Sequence, residues 1–317
     1  MAVAPRPHFR WTLRTPSLSL GERTLLVGVV NVTPDSFSDG GKFLSATSAI
    51  DHALKLLDEG ADILDVGGES TRPGARPTIS AQEELDRVLP VMEGILQRRS
   101  ETILSIDTYK NETARAAVRA GAQIVNDVSG FLWDPAMAAA CAELRCGVIL
   151  THTRGHSSEW RTQPKLVREE VVPLVLRELQ QRADAAIAAG IKHSAIVLDP
   201  GFGFGKVLDE NYPLLAHFDE LRALGYPLLA GVSRKAFLGR TLARIYGHDV
   251  AVDQRGNATV AAVTAAVLAG THLVRVHDVR EAREAVAIAD AIRGGSPDES
   301  NPTLAESNGT KEKTDAG

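Results

Sequence analysis

Cysteine is scarce in this chain: Cys141 and Cys146 are the two among 317 residues, too few for a disulfide framework. An excess of basic charge is also missing. Thirty-five lysines and arginines stand against 40 aspartates and glutamates, giving a net charge of −5 with histidines neutral. That balance excludes an overall basic footprint for a nucleic-acid backbone. No apolar run approaches the roughly 20 residues that a membrane-spanning helix needs. The opening MAVAPRPHFRWTLRTPSLSLGERT is broken by prolines and charges, so it lacks the apolar centre of a secretory signal. Between Thr24 and Arg293 there is neither a linker-like stretch nor a repeat of fixed period. With 44% hydrophobic and 24% charged residues, the expectation is a soluble, cytoplasmic globular protein.

One change of composition does occur. From Gly295 the chain reads GSPDESNPTLAESNGTKEKTDAG, in which only Leu304, Ala305 and Ala316 are hydrophobic. Such a segment cannot bury enough surface to offset its ordering entropy, so 295–317 is expected to be a disordered polar tail. Residues 1–24 read as an N-terminal extension, and 25–294 as one domain.

Within that domain, short β-branched runs alternate with longer amphipathic stretches, the pattern of parallel strands crossed by helices. Eight strands are predicted: Leu25–Val30, Asp62–Val66, Thr102–Ile106, Gln123–Asn126, Gly147–Thr151, Ala195–Leu198, Pro227–Val232 and His272–Val276. The helical stretches are Ala46–Glu59, Ala81–Arg98, Asn111–Ala120, Pro135–Leu144, Pro164–Ala189, Asn211–Leu224, Gln254–Ala269 and Arg280–Arg293. Gly60, Gly121, Gly190, Gly225 and Gly270 close helices shortly before the next strand, as left-handed caps do. Eight evenly spaced units favour an α/β fold closed as a (β/α)8 TIM barrel over an open doubly wound sheet.

Polar residues gather just past the strands: Asn31, Asp65–Gly68, Asp107, Asn126–Asp127, His152, Asp199, Ser233–Lys235 and Arg275–His277. In a barrel these ends meet on the face where active sites of this fold lie. Two connections from that face, TPDSFSDGGKF after Asn31 and GESTRPGARPT after Gly67, exceed the usual length of about 2–6 residues. They read as lids that close over a substrate and exclude water.

The blocks VGVVNVTPDSFSDGG (27–41), ILDVGGESTRPGA (63–75), SIDTYK (105–110), IVNDVSG (124–130), LDPGFGFGK (198–206), GVSRKAFLG (231–239) and VRVHDV (274–279) together resemble the dihydropteroate synthase family, in its order. The resemblance implies a (β/α)8 barrel, usually a homodimer. Its implied reaction joins 4-aminobenzoate to 6-hydroxymethyl-7,8-dihydropterin diphosphate, releasing pyrophosphate and 7,8-dihydropteroate. Such a reaction builds negative charge on the departing diphosphate and positive charge on the pterin methylene, so it needs preorganised charges of both signs.

Arg275 and His277 lie two apart on the last strand, hence on one face, and both can donate to phosphate oxygens. Asn31 offers a hard amide oxygen suited to Mg2+, which ordinarily also binds substrate phosphates. By resemblance these three grip the diphosphate and its metal. Asp199 and Asn126 match the donor and acceptor edge of a pterin. The resemblance sets Asp107 near the reacting methylene and Lys235 between the pterin and the incoming amine, with Phe204 flanking the pterin. Phe37, Thr71, Arg72 and Pro73 match the loop positions of the 4-aminobenzoate site. Ser233 and the start of a helix near Lys235 suit its carboxylate. Arg234 is either structural or close to the phosphates, and an ion pair with Asp278 competes with the diphosphate role of Arg275 and His277.

Other signals carry less. GFGFGK (201–206) lacks the spacing of a phosphate loop, and a zinc pair of His152 and His156 is disfavoured by the intervening Gly155. The two cysteines read as packing residues. Two departures from the family pattern stand out: threonines at 151 and 153, where methionines are frequent, and Ala236 in place of a serine. Two rival readings are a methyltransferase barrel acting between methyltetrahydrofolate and a corrinoid protein, and a non-catalytic pterin-binding paralogue. The first would not need the two lids or the RVH grip. The second should have lost one of Asn31, Asp107, Lys235, Arg275 or His277, all of which are present. Sulfonamides mimic 4-aminobenzoate in the family, which implies competitive inhibition.

Overall fold

The structure, a computed structural model, describes residues 5–15, 17–32, 42–70, 78–160 and 162–294. Eight short parallel strands form the centre: β3 (Leu25–Asn31), β4 (Ile63–Gly67), β5 (Ile103–Asp107), β6 (Ile124–Asp127), β7 (Gly147–Thr151), β8 (Ile196–Asp199), β9 (Leu229–Ala230) and β10 (Leu273–Val276). They are ordered β8-β7-β6-β5-β4-β3-β10-β9, and a parallel bridge from Leu198 to Leu228 joins the two ends. The sheet thus closes into the expected barrel. An antiparallel hairpin, β1 (Phe9–Thr12) and β2 (Ser17–Leu20), precedes it.

Side-chain parity explains how the barrel is filled. Leu25, Val27, Ile63, Ile124, Ile149, Val197, Leu229 and Leu273 form one buried cluster with Trp11, Leu13 and Leu20 of the hairpin segment. The hairpin therefore seals the N-terminal end, and the Trp11 indole N–H donates to the Ala195 carbonyl at 2.9 Å. No strand was expected in this segment, although FRWTL (9–13) and SLSL (17–20) alternate apolar with polar residues, the period of a half-buried strand. Two residues further along the strands, the same inward parity brings Asp65, Ser105, Asn126, Thr151, Asp199 and Arg275. The barrel's interior thus passes from an apolar floor to a polar mouth.

The opposite parity packs Leu26, Leu64, Leu104, Val125, Val148 and Leu198 against the surrounding helices. Those helices are α1 (Lys42–Asp58), α2 (Ala81–Arg98), α3 (Asn111–Arg119), α4 (Met137–Leu144), α5 (Val171–Ala188), α6 (Asn211–Ala216), α7 (Ala236–Tyr246), α8 (Gly256–Leu268) and α9 (Val279–Ile292). None of them is long and apolar enough to cross a membrane, among the described residues.

Three helical expectations need correction. The stretch from Pro164 becomes helical only after a 3-10 turn at Arg168–Glu170, because its backbone bonds elsewhere. The Pro164 carbonyl accepts from Arg154, and the Leu166 N–H donates to Glu210 at 2.8 Å. Asn211–Leu224 breaks at His217 into α6 and a 3-10 segment, Phe218–Leu224. The seventh unit carries two helices, α7 before α8. The expected tail, 295–317, lies outside the described residues.

Candidate active site

The sheet register puts Asn31, Gly67 and Asp107 on one level, with Asn126 beside Asp107. Arg275, reaching in from β10, donates through Nε to Asp65 Oδ2 at 2.6 Å and through Nη2 to Asp107 Oδ2 at 2.7 Å. Asn126 Nδ2 donates to the same Asp65 oxygen at 2.8 Å. Four strands thus share one hydrogen-bonded cluster, in which two carboxylates face one guanidinium. Although burial opposes it, the pull of Asp65 and Asp107 holds the Arg275 guanidinium above its ordinary pKa. Enclosure pushes the Asp107 carboxyl up to about 7 against the pull of Arg275, and the charges of Asp65, Glu84 and Asp127 push it the same way.

Asp199, across the barrel at the end of β8, is buried and accepts from the Gly201 N–H at 2.7 Å. Burial raises its carboxyl, while that N–H, Lys235, Lys206 and Arg275 pull it down. Gly201 is needed there for two reasons. Its φ is +68°, and a Cβ would stand 1.9 Å from the His152 carbonyl oxygen.

The turn that follows contains the GFGFGK run. Lys206 is buried, and its Nζ donates to the carbonyls of Gly201 at 2.8 Å, Phe204 at 3.3 Å and His152 at 3.5 Å. Its cation ties the loop after β8 to the loop after β7. Burial drives this ammonium down to about 7, with Asp199 pulling up and Lys235 and Arg154 pushing further down. The run is therefore a carbonyl-tied turn that presents Phe204. Lys235 Nζ lies 3.9 Å from the centroid of that ring, and Trp160 meets it edge-on at 5.1 Å.

Ser233 and His277, assigned to different substrates by the resemblance, touch each other. Ser233 Oγ is 3.0 Å from His277 Nδ1 and accepts from the His277 backbone N–H at 3.3 Å. Arg234 takes the Asp278 carboxylate in a two-point pair, with Nε 3.0 Å from Oδ2. Its backbone is held in a left-handed conformation, φ +57°, by Thr259 Oγ1 and by Arg255. Arg234 is thus structural, and the competing partner for Arg275, Asp278, is already occupied. Next to it α7 begins at Ala236, close to where the sequence suggested.

His152 and His156 do not converge. His152 Nε2 is 3.1 Å from Glu178 Oε2, whereas the His156 ring stacks on Trp133 at 4.2 Å. Burial, more than any neighbouring charge, lowers the His152 pKa to about 3. Thr153 Oγ1 accepts from the Trp160 indole at 3.0 Å, which gives one of the two unexpected threonines a function in this wall. Phe37, Thr71, Arg72 and Pro73 lie outside the described residues.

Sequence reasoning placed Asp65 among the polar strand ends without giving it a role, and it assigned none to Ser105, Glu84 or Lys206. Parity was the available signal for the first two, since Asp65 follows Ile63 and Ser105 follows Ile103 on the inward face. Glu84 is a buried α2 carboxylate that accepts from Thr108, Thr113 and Lys110 and so fixes the loop after β5. Nothing in its own helix marked it, because its partners are distant in sequence.

A family model described as "Pterin binding enzyme" matches residues 27–277, which takes in every strand end just described. The chain belongs to the pterin-binding enzyme family. It is 41% identical to the dihydropteroate synthase of Bacillus subtilis (strain 168) over 281 residues, covering 88% of this chain and 93% of that one. Among solved structures it is similar to the Xanthomonas albilineans dihydropteroate synthase with 4-aminobenzoic acid. That match has a TM-score of 0.81 and 42% identity, covering 90% of this chain and 99% of the other. The same organism's enzyme in complex with 7,8-dihydropteroate gives a TM-score of 0.76 at 40% identity, covering 90% and 98% of the two chains.

Proposed function

We propose that this chain condenses 6-hydroxymethyl-7,8-dihydropterin diphosphate with 4-aminobenzoate, releasing pyrophosphate and forming 7,8-dihydropteroate for folate synthesis. The observation that carries this reading is the mouth of the barrel. Asn126 and Asp199 stand ready for a donor and acceptor edge, with Asp107 and Arg275 paired between them. Buried polar groups of this kind select strongly, because an analogue lacking the matching groups leaves them unpaired.

Asn126 and Asp199 bind the pterin edge, and Phe204 with Lys235 flanks the ring. Asp107 lies where its charge stabilises the cation that develops on the methylene as the C–O bond breaks. Arg275, His277 and Asn31 take the diphosphate. The donor chemistry fits a Mg2+ ion shared with substrate: Asn31 supplies a hard oxygen, and among the described residues no cluster of three His, Cys, Asp or Glu offers a self-sufficient cage. When bound, the ion would neutralise charge on the leaving pyrophosphate. Ser233 and the first turn of α7 receive the 4-aminobenzoate carboxylate, with Phe37, Thr71, Arg72 and Pro73 completing that site. The aniline nitrogen is already nucleophilic, so no strong general base is required. The order of events is pyrophosphate departure, then amine attack on the trapped cation.

A cytoplasmic homodimer is the setting of this reading. Two free, buried cysteines suit a reducing compartment, and exposed Ile245 and Tyr246 on α7 suit a self-association surface. Pyrophosphate release from the two substrates with Mg2+, compared among the parent, Lys235→Ala and Arg275→Ala, tests the reaction. A parent protein that binds the pterin diphosphate yet never releases pyrophosphate would defeat it.

A further inference from the structure

Asp65 touches the pterin-site residues from behind. It is fully buried, and its Oδ2 accepts both from Arg275 Nε at 2.6 Å and from Asn126 Nδ2 at 2.8 Å. Among the described residues its Oδ1, also buried, meets no donor. The hydroxyl of Ser105, the residue beside it in the sheet register, meets no partner there either.

An oxygen already accepting from a guanidinium can only accept again. Asn126 must therefore present its amide nitrogen to Asp65. Its carbonyl oxygen is turned the other way, and among the described residues no protein donor meets that oxygen. Without Asp65 the Asn126 amide would have no reason to prefer this orientation over its flip, which would present a donor to the ligand.

We propose that Asp65 is a positioning residue: it locks the Asn126 amide with its oxygen toward the bound pterin and steadies the Arg275 fork between two carboxylates. This rests on the pterin reading above. Selectivity for a ligand N–H at Asn126 is then decided one residue behind the contact.

An exchange of the two side chains tests it. Asp65→Asn keeps the volume but lets the neighbouring amide flip. Asn126→Asp alone crowds two carboxylates. The double variant Asp65→Asn/Asn126→Asp restores one carboxylate and one amide. In it, the amide on β4 would donate to the carboxylate on β6 and accept from Arg275, leaving a carboxylate oxygen to face the ligand. Calorimetric titration with the pterin diphosphate, without 4-aminobenzoate, reads the outcome. Each single variant is expected to weaken binding roughly 5- to 100-fold, the range for stranding a buried polar group. The double variant is expected to return to within about threefold of the parent, a recovery that reports coupling between neighbours. If Asp65→Asn fails to fold, the double variant still decides, since folded protein with near-parental affinity requires the exchange. A double variant as weak as the singles, or an Asp65→Asn protein that binds like the parent, overturns the proposal alone. A parent that binds no pterin overturns the functional reading and this proposal with it.

Discussion

The Lys235 ammonium stands 3.9 Å from the centre of the Phe204 ring, so the cation that the resemblance sets beside the pterin is itself positioned by an aromatic face. Substituting Phe204→Leu keeps the site apolar but removes that face. A cation–π contact is worth about 0.5–2 kcal/mol, so KM for the pterin diphosphate should rise roughly 2- to 30-fold, with a smaller change in kcat. Steady-state kinetics at saturating 4-aminobenzoate check this. An unchanged KM would mean that Lys235 needs no support from Phe204.

Lys206 should give the activity an alkaline limb. Its ammonium, driven by burial to about 7, loses its proton as pH rises through that value, and three carbonyls then lose their charged donor. Activity is expected where the group is charged and to decline as it neutralises. For the parent, kcat/KM for the pterin substrate should fall between about pH 7 and pH 9. Lys206→Arg, always protonated, should abolish that fall even if its overall activity is lower. A pH profile of the same shape in both proteins would remove Lys206 as its origin.

The architecture was legible because inward and outward residues of each strand differ in kind. Runs such as ILSID and LVRV carry parity, burial and a polar end in one short segment. For the same reason the inward parity of Asp107, Asn126, Asp199 and Arg275, and their gathering at the polar mouth of the barrel, could be read from their places at the strand ends. What stayed hidden was chemistry made by meeting. Asp65 reads as one more polar strand end until Asn126 and Arg275 are seen to share one of its oxygens. Lys206 reads as the last letter of a glycine-rich run until three carbonyls surround it. The hairpin's alternating FRWT and SLSL were legible as strand pattern, but the barrel floor that buries Trp11 and Leu20 was not.

Arg275→Lys should be far from conservative. The guanidinium bridges Asp65 and Asp107 through separate nitrogens, and a lysine point charge cannot reproduce that fork. Loss of one preorganised donor of this kind costs about 100- to 1,000-fold in kcat. Pyrophosphate release under saturating substrates should show that loss. A lysine variant within a few-fold of the parent would place the diphosphate grip elsewhere.

At the opposite end of the barrel, His272 should make the fold acid-sensitive. The ring is fully buried; Nδ1 accepts from the Leu228 N–H at 3.1 Å, and Nε2 faces the Pro7 carbonyl at 3.0 Å. Both contacts require the neutral Nε2–H tautomer, since a proton on Nδ1 would remove the acceptor. Burial lowers the pKa to about 4, helped by Arg6, Arg293 and His8 and opposed by the Pro7 carbonyl. Between the ordinary value near 6.5 and this one, the unfolded chain binds a proton that the folded chain refuses. The stabilisation is complete above that window and is lost as pH falls through it, by about 1.4 kcal/mol per pH unit. His272→Gln supplies one donor and one acceptor without titrating. Between pH 6.5 and 5 the parent should therefore lose about 2 kcal/mol more than the variant. Urea unfolding of both proteins at the two pH values measures the difference, and equal losses would show that His272 does not sense acid.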